Sequence, residues 1–436
     1  MARISVVLLA VLLAACGGGG NDKQVKLEGE RIAVLTFEQE LVPDPQLVDV
    51  QVAIPRPYLN RSWPQAGGST THALHHLELG EQLSQAWRVE VGSGSEKYER
   101  LVSGPVVADG TIYTVDIRAR VTAVDADSGR QLWSVRLDKE GEKKSVAFGG
   151  GVAYWNGRVY VTTGYGFVAA LDAGSGRELW RYDTTITIRG APTVDAGRVF
   201  VLTHDNQIVA LSADDGSLIW DQVGIAENAG ILGAASPAVS GDTVVAALSS
   251  GELFALRVEN GRITWQDALT RTRRLTPLAT LSDIDGHPVI DRGRVYAYSH
   301  AGRMVAIDMR SGERVWEVNI GGLSTPWIAG DYIFLVTVDG EVACVSRRDG
   351  RVRWVTQLQR YENQEKRRGV ISWTGPVLAG DRLVVASSHG FLLSLSPYTG
   401  QVLSGKEMPD GTLLPPVIAD RTLYVMTDAG DLIAYR

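Results

Sequence analysis

One hairpin, written seven times, limits what this chain can fold into. Its clearest copy is Val168-Ala169-Ala170-Leu171-Asp172-Ala173-Gly174-Ser175-Gly176-Arg177-Glu178-Leu179-Trp180. The apolar run before Asp172 favours a pleated, buried strand. Asp172 opens a turn because its carboxylate can accept nearby backbone N–H groups. Gly176 closes the turn at positive φ, where a side chain would clash. Trp180 gives the returning strand a large apolar surface. The same order runs from Val121 through Gly129 to Trp133, and from Ile208 through Gly216 to Trp220. It returns from Leu253 through Gly261 to Trp265, and from Met304 through Gly312 to Trp316. The last two copies end at Trp354 after Gly350, and at Ser404 after Gly400, where serine stands in for tryptophan.

A second hairpin precedes each of these. Its copies begin at Pro105, Gly151, Pro192, Pro237, Pro288, Pro326, Pro376 and Pro416. Asp109-Gly110, Asn156-Gly157, Ser240-Gly241 and similar pairs mark their turns, and the eighth copy has Ala419-Asp420. Each unit is therefore a four-stranded meander. Tryptophans at 87, 133, 180, 220, 265, 316 and 354 repeat at the 40-to-50-residue period of propeller blades. There are eight first hairpins but only seven complete second ones. The chain stops at Leu432 to Arg436, a third strand without a fourth. Gln85 to Val89 can supply it, which closes the ring and removes an exposed edge. The expectation is an all-β, eight-bladed β-propeller of four-stranded antiparallel blades over 81–436, closed by pairing the N- and C-terminal strands. The tryptophans read as packing between blades.

Bulk properties narrow the function. The length of 436 residues, 44% hydrophobic, suffices for one large or two medium domains. A net charge of −7 argues against a nucleic-acid partner, which favours a basic face. Only two cysteines, Cys16 and Cys344, exclude a disulfide framework and a cysteine-based zinc site. Cys344, between Ala343 and Val345, reads as a small buried apolar residue.

The N-terminus has the pattern of an export signal. Arg3 is followed by a largely apolar stretch, Ile4 to Ala14, too short to span a bilayer. Leu13-Ala14-Ala15-Cys16 resembles the bacterial lipobox, which implies a signal peptide over 1–15 and acylation of Cys16. Several acyl chains anchor firmly, at about 0.8 kcal/mol per buried CH₂. Residues 16–23 are then a glycine-rich tether. Gly17 stands where lipoproteins kept at the inner membrane often carry Asp, so the resemblance implies the outer membrane. Residues 24–80 read as a partly irregular lead-in, with one strand possible over Arg31 to Phe37 and prolines at 43, 45, 55, 57 and 64. Within it, His72 and His76 would share one face of a helix and could bind a metal. No third ligand is in view, and solvated histidines are the plainer expectation.

The pattern Ala-x-Asp-x-x-Ser/Thr-Gly-x-x-x-Trp resembles the PQQ-like repeat. Two functional classes share that repeat: the quinoprotein dehydrogenases and the BamB-type outer-membrane assembly lipoproteins. The dehydrogenases typically have a vicinal cysteine pair, a calcium site and a catalytic aspartate, and the cysteine pair is missing here. A periplasmic PQQ-dependent dehydrogenase stays open as an alternative, as does an envelope propeller with another partner. The BamB-type resemblance rests on the signal peptide, lipobox, tether and bare eight-bladed ring. It also rests on Leu281-Ser282-Asp283-Ile284-Asp285-Gly286-His287-Pro288-Val289. The family has a similar Ser-Asp-x-Asp segment, implicated in contact with BamA. The resemblance assigns that contact to Asp283 and Asp285, which otherwise organise a turn. A second family segment, Leu-x-Leu-Arg, aligns with Ala229-Gly230-Ile231-Leu232. Ile231 fits the second leucine, while Ala229 and Leu232 depart from the pattern.

Both segments lie in connections from an outermost strand to the next blade's innermost strand, on one face of the ring. An apolar pair, Ile231 and Leu232, beside two carboxylates has the layout of a protein interface. The nearby Arg271-Thr272-Arg273-Arg274 run reads as solvated, and Lys366-Arg367-Arg368 carries no assignment. The implied function is a non-enzymatic scaffold, without cofactor, metal or catalytic residues. It would be lipid-anchored at the outer membrane facing the periplasm. It would bind the POTRA domains of BamA alongside other BAM subunits, with unfolded β-barrel proteins as further partners.

Overall fold

The structure, a computed structural model, describes residues 41–47, 49–225, 235–269, 284–300 and 302–436. Its strands form eight four-stranded antiparallel sheets and one two-stranded hairpin. The first seven blades are consecutive in sequence. Blade 1 is Val106–Ala108, Thr111–Val115, Arg120–Asp125 and Gln131–Arg136. Blades 2 to 7 begin with innermost strands at Val152, Thr193, Ala238, Val289, Trp327 and Trp373. Blade 8 takes Val417–Ala419, Thr422–Met426 and Asp431–Tyr435 from the C-terminus and Gln85–Glu90 from the other end of the chain. The closing register runs from Gln85 opposite Tyr435 to Glu90 opposite Asp431. Ser84 and Arg436 extend it by exchanging backbone hydrogen bonds at 2.7 and 2.9 Å. The predicted ring and its closure are as the repeat count required.

The repeated turn has the expected mechanics. Asp172 Oδ1 accepts from the Ser175 N–H at 2.9 Å, and the Gly176 N–H reaches the Asp172 carbonyl at 2.8 Å. Gly176 sits at φ +72°, and the strand register shifts beside it, between Ala170 and Leu171. That combination is a bulge closed by left-handed glycine. The glycine has a second duty. A Cβ on Gly176 would lie 2.6 Å from the Trp133 ring of the preceding blade. The Trp133 indole N–H then bonds the Ala173 carbonyl in the same turn at 2.9 Å. Trp180, Trp220, Trp265, Trp316 and Trp354 repeat this contact with the next blade's turn. Trp87 does so across the closure, onto Ala126. Each tryptophan therefore locks one blade to the next rather than packing within its own sheet alone.

This lock explains the serine at 404. Its partner would be the turn joining the third and fourth strands of blade 8. The fourth strand there comes from the N-terminus, so no such turn exists and a tryptophan would have nothing to cover.

The lead-in is where the structure departs from expectation. No helix forms at 72–76, so the shared helix face proposed for His72 and His76 does not exist. Nor are these residues solvated: His76 is fully buried and His72 is 3% exposed. Among the described residues no cluster of three or more metal-ligating side chains occurs. Instead residues 60–77 trace a circle against the innermost strands. Asn60 bonds Ile418 and Asp420 of blade 8, and Trp63 pairs with Val107 of blade 1. The Pro64 carbonyl takes the Tyr154 N–H of blade 2, and Gln65 Oε1 takes the Val194 N–H of blade 3. Thr70 and Thr71 carbonyls take Val239 and Ile290 of blades 4 and 5. The His75 carbonyl accepts the Trp327 indole N–H of blade 6, and Leu77 pairs with Leu378 and Gly380 of blade 7.

The physical reason is the inner edge. Each innermost strand turns unpaired N–H groups toward the channel, where they need acceptors. A proline-containing, irregular segment offers carbonyls without demanding strand partners of its own. The prediction failed because nothing in the local pattern of 58–80 reports contacts with residues 44 to 360 positions away.

Candidate partner-binding site

An antiparallel meander fixes which loops share a face. Turns between first and second strands, and between third and fourth, lie at one end of the ring. The connections between blades lie at the other. The lead-in circle sits toward the turn end, since it bonds Gly380 and Asp420 in first-hairpin turns. The two predicted contact segments belong to the connection end, between blades 3 and 4 and between blades 4 and 5.

Ile231, Leu232, Asp283 and the basic run at 271–274 lie outside the described residues, as do Cys16 and the strand expected over Arg31 to Phe37. Asp285 is described and half-buried. It is held from both sides. Ile284 is buried in a cluster with Ala235, Ala238 and Leu269, and Gly286 packs so closely that a Cβ would meet the Ser324 carbonyl at 2.4 Å. The feet of the two connections are joined by one side chain. His287 Nδ1 accepts the Ser236 N–H at 2.9 Å, and the His287 N–H donates to Thr325 Oγ1 at 3.1 Å. His287, two residues after Asp285, thus ties blade 4's entry to blades 5 and 6. Spacing alone gave no sign of His287.

Behind these feet is the central cavity, about 750 Å³ including its open side. Its walls are residues that lead into the innermost strands, such as Pro105, Ala191, Ser236 and Pro415. Its floor is the lead-in circle: Trp63, Ala66, Gly67 and His72. Trp63 stacks on Trp327 with ring centroids 6.3 Å apart. His72 Nδ1 donates to the Pro288 carbonyl at 2.8 Å, and its ring centroid is 4.9 Å from that of His287. Burial lowers the His72 pKa to about 4, a shift only partly opposed by the Pro288 hydrogen bond. Burial, then the charge of His72, lowers His287 to about 3. Both rings are therefore neutral at physiological pH, and each has its Nδ1 engaged by backbone.

The remaining candidate group for chemistry is Cys344. It is fully buried in the strand Glu341–Ser346, and burial pushes its thiol well up. That is a structural cysteine, as the sequence implied.

A family model described as "Outer membrane protein assembly factor BamB" matches residues 80–147 and 118–356, well over half of the chain. The chain belongs to the BamB family. The BamB of Moranella endobia is 26% identical over 368 residues, covering 83% of this chain and 92% of that protein. Among solved structures, BamB from Moraxella catarrhalis superposes with a TM-score of 0.69 at 20% identity, covering 81% of this chain and all of that one. The quinohemoprotein alcohol dehydrogenase of Comamonas testosteroni gives 0.66 at 15% identity, over 86% of this chain and 80% of that one. At such identities the two structural matches speak for the propeller alone. The family match reaches across both connections that carry the candidate contacts.

Proposed function

We propose that this protein is a non-enzymatic lipoprotein scaffold of the outer-membrane β-barrel assembly machine. It is anchored through acylated Cys16 at the outer membrane and faces the periplasm. It binds the POTRA domains of BamA through the two adjacent connections, with Ile231 and Leu232 as the apolar part and Asp283 and Asp285 as the charged part. Held there, it assists delivery and insertion of β-barrel clients. The observation that carries this reading is the BamB family match over 80–356, which includes both connections. The hydrogen bond from Ser236 to His287 adds geometric support, because it holds the feet of those connections side by side. Pre-ordered neighbours lower the entropic cost of docking a rigid partner.

The dehydrogenase alternative gains nothing specific from the side chains. The cavity floor is built from the chain's own lead-in, and the walls are apolar with two neutral histidines. The test is co-purification. Ile231→Ala, Asp283→Asn and Asp285→Asn together should reduce recovery of BamA from solubilised membranes while the propeller's circular dichroism is unchanged. Full recovery of BamA with the triple variant would remove the site assignment.

A further inference from the structure

The repeat supplies an internal baseline, and blade 6 breaks it in one place. The residue after the first turn position is Ala126, Ala173, Ala213, Val258, Met309 and Pro397 in the other blades that have this turn, and Arg347 in blade 6. The residue before the lock tryptophan is Leu132, Leu179, Ile219, Thr264 and Val315, and Arg353 in blade 6. Neither arginine is needed to build a blade, since its counterparts are uncharged. Both face the same cleft on the turn end of the ring, opposite the BamA-facing connections.

Six guanidinium groups line that cleft: Arg292, Arg294, Arg347, Arg348, Arg351 and Arg353. Arg347 is its built base. It is 6% exposed, donates to Tyr296 Oη at 2.8 Å and to the Asp291 carbonyl at 2.9 Å, and pairs with the Asp291 carboxylate at 2.5 Å. Arg351 is paired with Asp349 and Asp44. Arg292 has only long contacts, 3.9 and 4.0 Å, to Asp291 and Asp331. Among the described residues the other three form no ion pair with a carboxylate, although Arg294 lies across from Asp308 and helps the Ser311 N–H lower its pKa. Arg294 and Arg353 donate to backbone carbonyls, of Arg347 and Val50, and among the described residues exposed Arg348 makes no hydrogen bond or ion pair. Six positive charges against Asp44, Asp291, Asp308, Asp331 and Asp349 leave the cleft net cationic on a chain whose net charge is −7. One wall is apolar: Leu47 and Val50 of the lead-in, with Val50 43% exposed.

We propose that this cleft binds a phosphate-bearing anion. Several planar guanidinium forks around one opening suit the tetrahedral oxygens of phosphate, which accept paired N–H bonds. Arg347, already bonded to Tyr296 and Asp291, holds the base of the cleft in place, while exposed Arg292 and Arg348 present their forks to the anion. A phospholipid headgroup and a soluble phosphate ester share this chemistry, and the apolar lip of Leu47 and Val50 can pack against the carbon skeleton of either.

The test returns two positions to what other blades carry. Arg348→Asp matches Asp127 and Asp214, and Arg353→Leu matches Leu132 and Leu179, so the propeller tolerates these residues at these positions. The full chain and this double variant are compared by calorimetric titration with glycerol 3-phosphate, and by sedimentation with phosphatidylglycerol or phosphatidylcholine vesicles. An unchanged melting temperature confirms that the variant is folded. The expected result is saltable binding of glycerol 3-phosphate, weakened at least about tenfold in the variant. Variant-sensitive sedimentation with phosphatidylglycerol, without binding of the soluble ester, supports the same site with a bilayer headgroup as its source. Binding of neither probe, equal binding by the variant, or equal competition by polyglutamate would overturn the proposal.

Discussion

Acid should weaken this ring through two histidines before its carboxylates are fully protonated. His72 and His287 are neutral in the fold, with pKa values lowered from 6.5 to about 4 and about 3. In the unfolded chain both take up a proton as pH falls through 6.5. Between 6.5 and 4 the unfolded state therefore binds more protons than the folded state, and stability falls as pH falls. Each group contributes up to about 1.4 kcal/mol per pH unit. From pH 7 to pH 5 that is about 2 kcal/mol for His72, which is enclosed. His287 is only half-buried, and beyond burial part of its shift comes from His72, so its own share is smaller. Together they account for a loss of about 3 kcal/mol. The control is His72→Asn with His287→Asn. An asparagine amide can donate to the Pro288 carbonyl in place of Nδ1–H, and an asparagine oxygen can accept the Ser236 N–H in place of Nδ1. The hydrogen bonds survive and the titration does not. Urea unfolding followed by tryptophan fluorescence at pH 7 and pH 5 reads the difference. The native chain should lose about 3 kcal/mol more than the double variant. Equal losses in both would refute the assignment of the acid sensitivity to this pair.

Three further outcomes test the architecture. Trp63→Ala removes a side chain only 4% exposed, stacked on Trp327, and should cost about 3–5 kcal/mol in chemical denaturation despite lying outside the predicted propeller. Gly176→Ala forces a side chain into positive φ and to within 2.6 Å of Trp133, so its melting temperature should fall clearly, whereas Gly174→Ala, with its nearest contact at 3.7 Å, should leave it nearly unchanged. Ser404→Trp should give no stability, within about 0.5 kcal/mol, because blade 8 has no turn for the indole to lock. A gain comparable to one interblade lock would contradict that account of the serine.

The ring was legible because its information is local and repeated. Asp172, Gly176 and Trp180 each state a backbone or packing requirement within a dozen residues, and seven copies average out the exceptions. Closure was legible from counting, since Leu432 to Arg436 lacked a partner that Gln85 to Val89 could supply. The lead-in circle was not. Its bonds fall at 60, 63, 64, 65, 70, 71, 75 and 77, with no period, because the segment follows the ring's geometry and not its own. His72 and His76 looked like a solvent-exposed pair for the same reason: their partners, Pro288 and Pro55, are set by tertiary contact. The candidate site was legible only through family resemblance. Asp285 shows a residue held in place by Ile284 and Gly286, while nothing in composition or spacing pointed to His287 as the side chain that joins the two connections. Arg347 and Arg353 could have been noticed by comparing blades position by position, since each is a charge where the repeat has none.

The central claim is that the two connections on one face contact BamA. Site-specific photo-crosslinking in living cells tests it most directly. A photoreactive residue at position 231 or 283 should give an adduct with BamA, and one at Thr399, in an exposed turn on the opposite face, should not. Adducts with BamA from position 399 and none from 231 or 283 would contradict the account.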